Sequence, residues 1–257
     1  MHSVESPVVS VVIPFYNTER HVTECIESLL AQQGVGGPYE ILLVDNGSSD
    51  GPASIVERYP ELIVLEESTP GAYAARNTGI RRARAPLIAF TDADCVVATD
   101  WLQSIRSGFE DPTVAILLGH CSYPESASLG LRLLEAYENS KTHYVTRQCP
   151  LAYRFAHANN MAVRASVFSE LGQFKEWRRA ADTELVQRLG QRRPDLQTVF
   201  LPAMKITHLE FVRARKRLQR MRLYSQTNSG IDTFRELGIA QRLGVLGQLV
   251  KDLRANR

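Results

Sequence analysis

The amino-acid sequence predicts an α/β fold with a mostly parallel sheet flanked by helices and a helical C-terminal tail. Three observations support this prediction. Short apolar runs alternate with stretches of helical periodicity in the first half of the chain. Glycine, proline and asparagine separate these runs. Near the C-terminus, apolar residues recur at 4-3-4-3 spacing, which indicates one stripe along a helix.

The first half predicts the order βαβαβαβ. Val8 to Phe15 is an apolar, β-branched run, and apolar residues then recur at helical spacing from Val22 to Leu30 until glycines at 34, 36 and 37 end the helix. Tyr39 to Val44 and Leu62 to Leu65 are the next apolar runs, with a short helix between them over Pro52 to Tyr59. Leu87 to Thr91 is predicted as the fourth strand.

The second half gives a less regular pattern. We expect a helix over Trp101–Phe109, a strand over Val114–Gly119, a helix over Leu129–Asn139, a loop over 141–155, a strand over Phe155–Val163, a helix over Thr183–Leu189 and a strand over Gln197–Leu201. The apolar stripe of the tail consists of Ile239, Leu243, Leu246, Val250 and Leu253. Packing of this stripe on its own domain is the first interpretation, and docking onto a membrane or a second subunit is the alternative.

Size and composition exclude several classes of protein. The 257 residues, with a formal net charge of +2, are typical of a globular chain, and no window is apolar enough for a membrane span. The N-terminus lacks the layout of a secretory signal, so we expect a cytoplasmic protein. Cys25, Cys95, Cys121 and Cys149 lie far apart, which favours reduced thiols over a zinc site or a disulfide framework. We expect no nucleic-acid partner.

Two carboxylates follow the fourth predicted strand, in Asp92-Ala93-Asp94. Ligands of open α/β sheets bind beyond the carboxyl ends of the strands. Carboxylates two residues apart can share a hard divalent cation, and that cation can hold a diphosphate. A solvated acidic turn is the alternative.

Two further segments suggest ligand contacts. Asp45 ends the second strand, where its carboxylate can accept hydrogen bonds from a base or a ribose, although helix capping explains the Ser48 to Pro52 part of that turn. Arg76 stands among small residues between Gly71 and Gly79, where it can meet a phosphate or a neighbouring carboxylate. A surface helix is the alternative for this second segment.

These motifs, in this order, resemble the nucleotide-binding half of family 2 glycosyltransferases. The resemblance rests on Val11-Val12-Ile13-Pro14-Phe15-Tyr16-Asn17, the Asp45–Asp50 turn, Ala75-Arg76-Asn77-x-Gly79 and Asp92-x-Asp94, and it covers roughly residues 8 to 208. It implies the A-type glycosyltransferase fold, with a Rossmann-like sheet. It also implies a nucleoside-diphosphate sugar as donor and Mn2+ or Mg2+ as cofactor.

The later part of the chain matches this family less closely. Asn160-x-Ala162-x-Arg164 and Gly172-x-Phe174 resemble the segment before the family's Glu-Asp motif, but Ala181 stands where that Glu is expected. Asp182 then matches the general base, Glu184 is the fallback, and an N-cap is the alternative for Asp182. His208 corresponds to a histidine that in some members completes the metal shell or contacts the diphosphate, and a structural histidine is the alternative.

The resemblance thus implies a set of site residues. Asp182 is the predicted catalytic residue; Asp92, Asp94 and His208 are the predicted metal ligands; Pro14, Tyr16, Asn17, Asp45, Gly71, Arg76, Asn77, Asp92, Asn160 and Glu184 are the predicted substrate-binding residues.

The implied reaction is inverting transfer from a nucleoside-diphosphate sugar, with a UDP-sugar as first choice, to a hydroxyl of a glycan, lipid-linked or small-molecule acceptor. A catalytically silent nucleotide-sugar sensor or scaffold is an alternative because of Ala181. A sugar-phosphate nucleotidyltransferase is a weaker alternative, since it needs a glycine-rich basic loop where this chain has Pro14-Phe15-Tyr16-Asn17.

The predicted domain organisation has three parts. Residues 1–210 form the glycosyltransferase domain, divided into a nucleotide-binding half (1–97) and an acceptor half (98–210), and residues 211–257 form a basic amphipathic tail. Six positive charges and no acid lie between Arg213 and Arg222. Such a run favours peripheral contact with anionic lipid on the inner face of the membrane, and a solvated helix face is the alternative.

Overall fold

A computed structural model of the chain describes residues 5–17, 19–49, 53–210, 214–228, 230–231 and 234–255. The predicted turn residues 50–52 and the basic residue Arg213 lie outside the described residues.

Eight strands of the described chain form one mixed sheet, in the order β3-β2-β1-β4-β7-β6-β8-β5. The strands are β1 (Val9–Phe15), β2 (Tyr39–Asp45), β3 (Ile63–Glu66), β4 (Leu87–Thr91), β5 (Cys95–Val97), β6 (Val114–Ser122), β7 (Asn160–Arg164) and β8 (Gln197–His208). Neighbours from β3 to β4 are parallel, and so are β6 and β8. β7 is antiparallel to β4 and β6, and β5 is antiparallel to β8. The predicted α/β class is confirmed.

The helices flank this sheet. They are α1 (Glu19–Leu30), α2 (Ala53–Arg58), α3 (Ala72–Arg82), α4 (Trp101–Gly108), α5 (Leu129–Gln148), α6 (Ala165–Leu171), α7 (Ala181–Arg192), α8 (Ala214–Asn228) and α9 (Ile239–Ala255). The expected loop over 141–155 is wrong, because α5 continues to Gln148 and a 3-10 helix follows at Leu151–Tyr153. Packing overrides the weak helix propensity there: Val145 is fully buried, and the hydroxyl of Thr146 donates to the carbonyl of Thr142.

Both faces of the sheet are covered, which explains the continuous apolar runs. Along β1, Val11 and Ile13 point into a core that contains Trp101, whereas Val12 points into a core on the other face with Phe90. Parallel strands buried on both faces have this composition. Because β1, β2 and β4 are parallel, their carboxyl ends meet at one edge of the sheet. The residues that follow these strands therefore lie close together.

The short strand β5 brings a distant histidine to this edge. β5 follows the Asp92–Asp94 turn and pairs with the end of β8, with Cys95 opposite His208. The amide of Leu209 also donates to the carbonyl of Asp94, at 2.8 Å. His208 is thereby fixed next to Asp94 although 113 positions separate them in the sequence.

The C-terminal helix α9 packs on α5 through the face opposite its predicted stripe. Val245 is buried, Gly244 lies against Tyr144, and the hydroxyl of Ser140 donates to Asp252 at 2.7 Å. The helix thus packs on its own domain as first expected, but the five stripe residues, between 48% and 81% exposed, do not form the packed face. Among the described helices, none has the length and hydropathy needed to cross a membrane.

Candidate active site

A cleft of about 410 Å³ opens at the carboxyl edge of the sheet, and we call it the active-site cleft. It brings together seven of the predicted site residues: Pro14, Tyr16, Arg76, Asp92, Asp94, Asp182 and His208. Among its described lining residues, five arginines face three aspartates. An excess of guanidinium groups beside paired carboxylates suits an anionic ligand that arrives with a cation.

Arg76 and Asp92 form an ion pair at the floor of this cleft. The guanidinium of Arg76, buried on α3, donates to Oδ1 of Asp92 at 2.5 Å and lies 5.2 Å from the centre of the Tyr73 ring. Arg76 therefore meets a neighbouring carboxylate, one of the two partners expected for it. The side chain of Asp92 remains about one-third exposed to the cleft.

Asp94 and His208 form the part of the cleft best suited to a metal ion. Oδ2 of Asp94 lies 3.7 Å from Nε2 of His208. Burial and the nearby charge of Asp92 raise the pKa of Asp94 to about 7, so a bound cation would favour the ionised carboxylate. Burial lowers the pKa of His208 to about 4, so its imidazole is neutral and able to act as a ligand. This donor set fits a divalent cation.

Cys95 is a neighbour of this pair that sequence reasoning missed. Its Sγ atom lies with the ligand atoms of Asp94 and His208 within 4.8 Å. Burial, followed by the charge of Asp94, raises the pKa of the thiol well above its usual range, so it stays protonated. A protonated thiol is a poor ligand, and Sγ instead lies 3.6 Å from Oδ1 of Asp94 in a weak hydrogen bond.

Asp182 lies at the start of α7 and lines the same active-site cleft as Asp92 and Asp94. Its Oδ1 accepts a hydrogen bond from the amide of Thr183 at 2.8 Å, and its Oδ2 accepts one from the amide of Ala158 at 2.9 Å. Burial raises the pKa of Asp182, although these hydrogen bonds act against the rise. The carboxylate is oriented, buried and more basic than usual, as a general base requires.

The alternative assignment of Asp182 as an N-cap does not hold. The N-cap is Ala180, with φ of 66° in the left-handed region, and Asp182 lies in the first turn of the helix. A non-glycine residue in this conformation carries strain of about 1–2 kcal/mol. Of the first residues of α7, Asp182 lines the cleft, whereas Ala181 lies in the buried core.

The predicted nucleoside side of the site is a set of interlocked turns. Oδ1 of Asp45 accepts from the amide of Ser48 at 2.9 Å. Oδ1 of Asn17, a residue with positive φ, accepts from the amide of Ser49, at 2.9 Å. Gly71 begins α3 with φ of 132°, and its amide donates to Asn46, at 2.6 Å. Asp45, Asn17 and Gly71 thus shape the rim, while Tyr16, Pro14 and Asn46 line the cleft itself.

Six of the predicted substrate-binding residues are not part of the cleft lining: the three rim residues Asp45, Asn17 and Gly71, and also Asn77, Asn160 and Glu184. Asn77 is buried and exchanges hydrogen bonds with the backbone of Phe174. Asn160 accepts from Nε1 of Trp101 at 2.9 Å and donates to the carbonyls of His120 and Met204. Glu184 pairs with Arg188 one turn further along α7. Their polar groups serve the fold in this structure.

Two arginines of α8 reach the cleft from the predicted tail. Arg217 donates to the hydroxyl of Tyr123 at 2.6 Å, and Arg220 pairs with Glu210 at 2.8 Å. Both line the same cleft as Asp94. The basic run was visible in the sequence, but nothing in its spacing distinguishes a lipid contact from a ligand contact. Arg178 and Arg179 complete the cationic lining and were also missed.

An α/β sheet with carboxylates, a neutral histidine and arginines at its carboxyl edge defines a class of protein that handles anionic, nucleotide-like ligands. Comparison with known proteins narrows this class. Residues 10–172 match the family model described as glycosyl transferase family 2. The chain therefore belongs to this family.

Curated relatives agree with this assignment. The chain is 31% identical over 175 residues to the glycosyltransferase AglE of Haloferax volcanii, which covers 65% of this chain and 56% of the relative. It is also 31% identical over 187 residues to EpsJ of Bacillus subtilis, an uncharacterised glycosyltransferase, with 66% and 54% covered. The chain thus spans about half the length of these relatives.

Solved structures agree on the fold. The mannosyltransferase PcManGT of Pyrobaculum calidifontis, solved with GDP-Man and Mn2+, superposes with a TM-score of 0.67 at 21% identity, covering 98% of this chain and 75% of the other. Residues 1–349 of S. aureus TarS, solved with UDP, give a TM-score of 0.60 at 19% identity, covering 94% and 70%. The predicted A-type glycosyltransferase fold is confirmed.

Proposed function

We propose that this protein is a metal-dependent, inverting glycosyltransferase that moves a sugar from a nucleoside-diphosphate sugar to an acceptor hydroxyl. One observation carries the proposal: Asp182 shares a single cleft with the Asp92–Asp94 turn, His208 and Arg76. The cleft lies at the carboxyl edge of an A-type sheet, where the family's donors are expected.

The donor's nucleoside is expected between the ends of β1 and β2. The exposed ring of Tyr16 offers a surface on which a base can stack, and Asp45, which pairs with Phe15 at the end of the neighbouring strand, offers a carboxylate. Asn17 and Gly71 hold the surrounding turns. We propose a UDP-sugar as the first choice; among the solved structures similar in fold, one holds UDP and another GDP-Man.

Asp94 and His208, with Asp92 beside them, would hold Mn2+ or Mg2+. Such a cation, when bound, neutralises the negative charge that grows on the departing diphosphate. Arg76 orients the carboxylate of Asp92 through its ion pair. Arg217 and Arg220 add positive charge at the same end of the cleft, where phosphate oxygens would lie.

Asp182 is the proposed general base. It takes the proton of the acceptor hydroxyl, and the oxygen attacks the anomeric carbon from the side opposite the diphosphate, which inverts the configuration. The amides of Ala158 and Thr183 fix the carboxylate for this transfer. A base positioned in this way contributes about 10²–10⁴-fold in rate. Glu184, paired with Arg188, remains the fallback base.

A catalytically silent sensor is the second candidate, favoured by Ala181 at the position of the family's Glu. A thermal-shift screen of nucleoside diphosphates and their sugars, with and without Mn2+, would identify the donor class, since a ligand that binds the native state raises its melting temperature. Release of nucleoside diphosphate from the stabilising donor would then separate an enzyme from a sensor. Metal-dependent binding without hydrolysis or transfer would contradict the enzymatic proposal, and nucleotidyl transfer would indicate the weaker alternative.

We further propose that the exposed stripe of α9 docks on an anionic membrane surface. Its aliphatic side chains lie beside the exposed basic residues Lys251 and Arg254, and the exposed Arg215 of α8 adds to the positive charge. Anionic headgroups complement such a face, with about 1 kcal/mol for each basic residue near the surface. We therefore propose residues 211–257 as a tail beside the halves 1–97 and 98–210, with peripheral contact to the inner face of the membrane through α9.

Vesicle flotation tests this docking. We expect the protein to float with vesicles containing phosphatidylglycerol and not with neutral phosphatidylcholine vesicles. Leu246→Gln with Leu253→Gln should abolish flotation and leave the melting temperature unchanged, because both side chains are about half exposed. Equal binding to both kinds of vesicle, or none, would contradict the docking.

A further inference from the structure

A second cavity of about 310 Å³ adjoins the active-site cleft, and we call it the basic cavity. One wall is formed by α5 and the Tyr153–His157 segment, and the other by α8 and residues 234–242. His157 and Arg217 line both the basic cavity and the active-site cleft. A ligand in the basic cavity is therefore separated from the cleft only by this shared wall.

The walls of the basic cavity are held in place by the fold. The amide of Arg235 donates to the carbonyl of Ala152 at 2.5 Å, and the guanidinium of Arg242 donates to the carbonyl of Leu237 at 2.9 Å. Phe234 and Leu237 pack against the buried cluster around Phe155. The described residues 234–237 are thus a built wall of the cavity.

The charge of this cavity is strongly positive. Lys141, Arg217, Arg222, Arg235 and Arg242 line it, against the two carboxylates Glu138 and Glu236. Glu138 lies 3.8 Å from the amine of Lys141 and so offsets one of these cations. Within the described residues, neither Arg222 nor Arg235 forms a salt bridge. The excess of guanidinium groups fits phosphate oxygens.

The apolar part of the cavity is aromatic. Tyr137, Tyr153, Phe155 and Phe234 line it, and the amine of Lys141 lies 4.7 Å from the centre of the Phe155 ring. Aromatic rings offer a flat apolar surface for the C–H faces of a sugar or polyol. The hydroxyls of a ligand stacked in this way stay free for hydrogen bonds. Rings and guanidinium groups together select for a ligand that is part carbohydrate and part anion.

The wall shared by the basic cavity and the cleft lies next to a contact of the proposed base. The amide of Ala158, next to His157 in the chain, donates to Oδ2 of Asp182 at 2.9 Å. Burial lowers the pKa of His157 to about 3, so this shared wall residue presents a neutral imidazole to a hydroxyl. An acceptor held by the arginines can thus extend a hydroxyl past His157 toward Asp182.

We propose that the basic cavity is the acceptor site and that it takes a sugar or polyol carrying a phosphate or diphosphate group. This inference rests on the proposed glycosyl transfer. The anionic group lies among Arg222, Arg235 and Arg242, and the hydroxyl to be glycosylated lies at the wall shared with the active-site cleft. Soluble sugar phosphates and lipid-linked sugar diphosphates share this chemistry.

Binding is measured first, with the cleft filled by UDP and Mn2+ so that the probe cannot occupy the donor site. Calorimetry compares glucose 1-phosphate with glucose, and farnesyl-diphosphate-linked glucose with a farnesyl glucoside in detergent. We expect at least one phosphorylated ligand to bind about tenfold or more tightly than its neutral counterpart, as a charge-assisted hydrogen bond to arginine provides. The pair that shows this preference identifies a soluble or a lipid-linked source. No preference in either pair would overturn the proposal.

Matched variants then locate the binding. Arg222→Gln and Arg235→Gln should each weaken the binding of the phosphorylated ligand about tenfold. The affinity for the neutral ligand should change less than about twofold. Arg215→Gln is the control, since Arg215 lies on the same helix, is exposed and lines neither the cleft nor the cavity. An equal loss in Arg215→Gln would assign the effect to general charge and overturn the proposal.

Kinetics separate this inference from the proposed function. Release of nucleoside diphosphate without acceptor reports the donor site alone, and we expect Arg222→Gln to leave it unchanged. Transfer to the phosphorylated acceptor should fall about tenfold in kcat/KM, through KM. If the wild-type protein neither hydrolyses donor nor transfers sugar, the proposed function fails, whereas the binding results still decide what the basic cavity holds.

Discussion

Replacement of Asp182 by Asn tests the proposed mechanism most directly. The carboxylate accepts two hydrogen bonds, from the amides of Thr183 and Ala158. Asparagine has the same shape but one acceptor oxygen, so its NH₂ group would face one of these amides. An unsatisfied buried donor costs about 1–3 kcal/mol of stability. Burial disfavours the charged carboxylate of Asp182 and so raises its pKa, whereas a neutral amide has no charge to bury. This difference offsets part of the lost stability.

The expected effect on catalysis is much larger than the effect on folding. Loss of a positioned base lowers the rate of transfer about 10²–10⁴-fold, which corresponds to about 3–5 kcal/mol of barrier. The donor's dissociation constant should stay within about threefold, because Asp182 faces the acceptor side. Transfer is measured as glycosylated acceptor under saturating Mn2+, with the melting temperature as a check on folding. Asp195→Asn, at an exposed carboxylate that is not part of the cleft lining, is the matched control.

The pH dependence gives the same test a second readout. Burial raises the pKa of Asp182, and a base acts only when deprotonated. The kcat/KM of the wild-type protein should therefore fall as the pH drops, with a midpoint above that of an ordinary aspartate, and Asp182→Asn should lack this limb. Transfer by Asp182→Asn within tenfold of wild type would refute the base assignment. If Glu184→Gln alone lost activity, the fallback base would be correct.

The other predictions concern the metal, the nucleoside and a buried amide. Asp94→Asn should weaken the binding of Mn2+ by at least about tenfold, which is measured as loss of the Mn2+-dependent thermal shift with UDP. An unchanged thermal shift would show that Asp94 is not a metal ligand. Tyr16→Ala should weaken the binding of UDP about tenfold or more, because the stacking surface is lost. The melting temperature should stay unchanged, because the Tyr16 ring is 59% exposed. Asn160→Ala should destabilise the fold by about 2–4 kcal/mol in urea unfolding, since Nε1 of Trp101 loses its acceptor. An Asn160→Ala protein with normal stability but a raised donor KM would instead support substrate contact.

The local sequence pattern was sufficient to predict those helices and strands whose own residues show a clear apolar run or periodicity. The strand Leu87–Thr91 was predicted with its observed bounds, and it places Asp92 at the carboxyl edge as expected. Elements whose stability comes from their partners were missed. β5 has only three residues and exists because it pairs with β8, and α6 joins β7 to the Phe174 segment with seven residues. Short segments of this kind have no periodicity to detect.

Side-chain roles were harder to predict than positions. Asn77 and Asn160 are polar residues in family-like motifs, and a polar residue there suits either a ligand or a buried backbone group. The structure satisfies both through hydrogen bonds within the protein, to Phe174 and Trp101 respectively. Which partner a side chain has depends on elements about 60 to 100 positions away, and one sequence does not specify them.

The two helices of the C-terminal segment, α8 and α9, have different proposed contacts. Arg217 and Arg220 line the active-site cleft, and Arg222 faces the basic cavity, so these guanidinium groups cannot also lie against lipid. Membrane contact then depends on α9, where the apolar stripe lies beside Lys251 and Arg254. Because α9 packs on α5, whose other residues line the basic cavity, docking would place that cavity close to the headgroups. A lipid-linked sugar diphosphate could reach the arginines from such a surface without leaving the membrane.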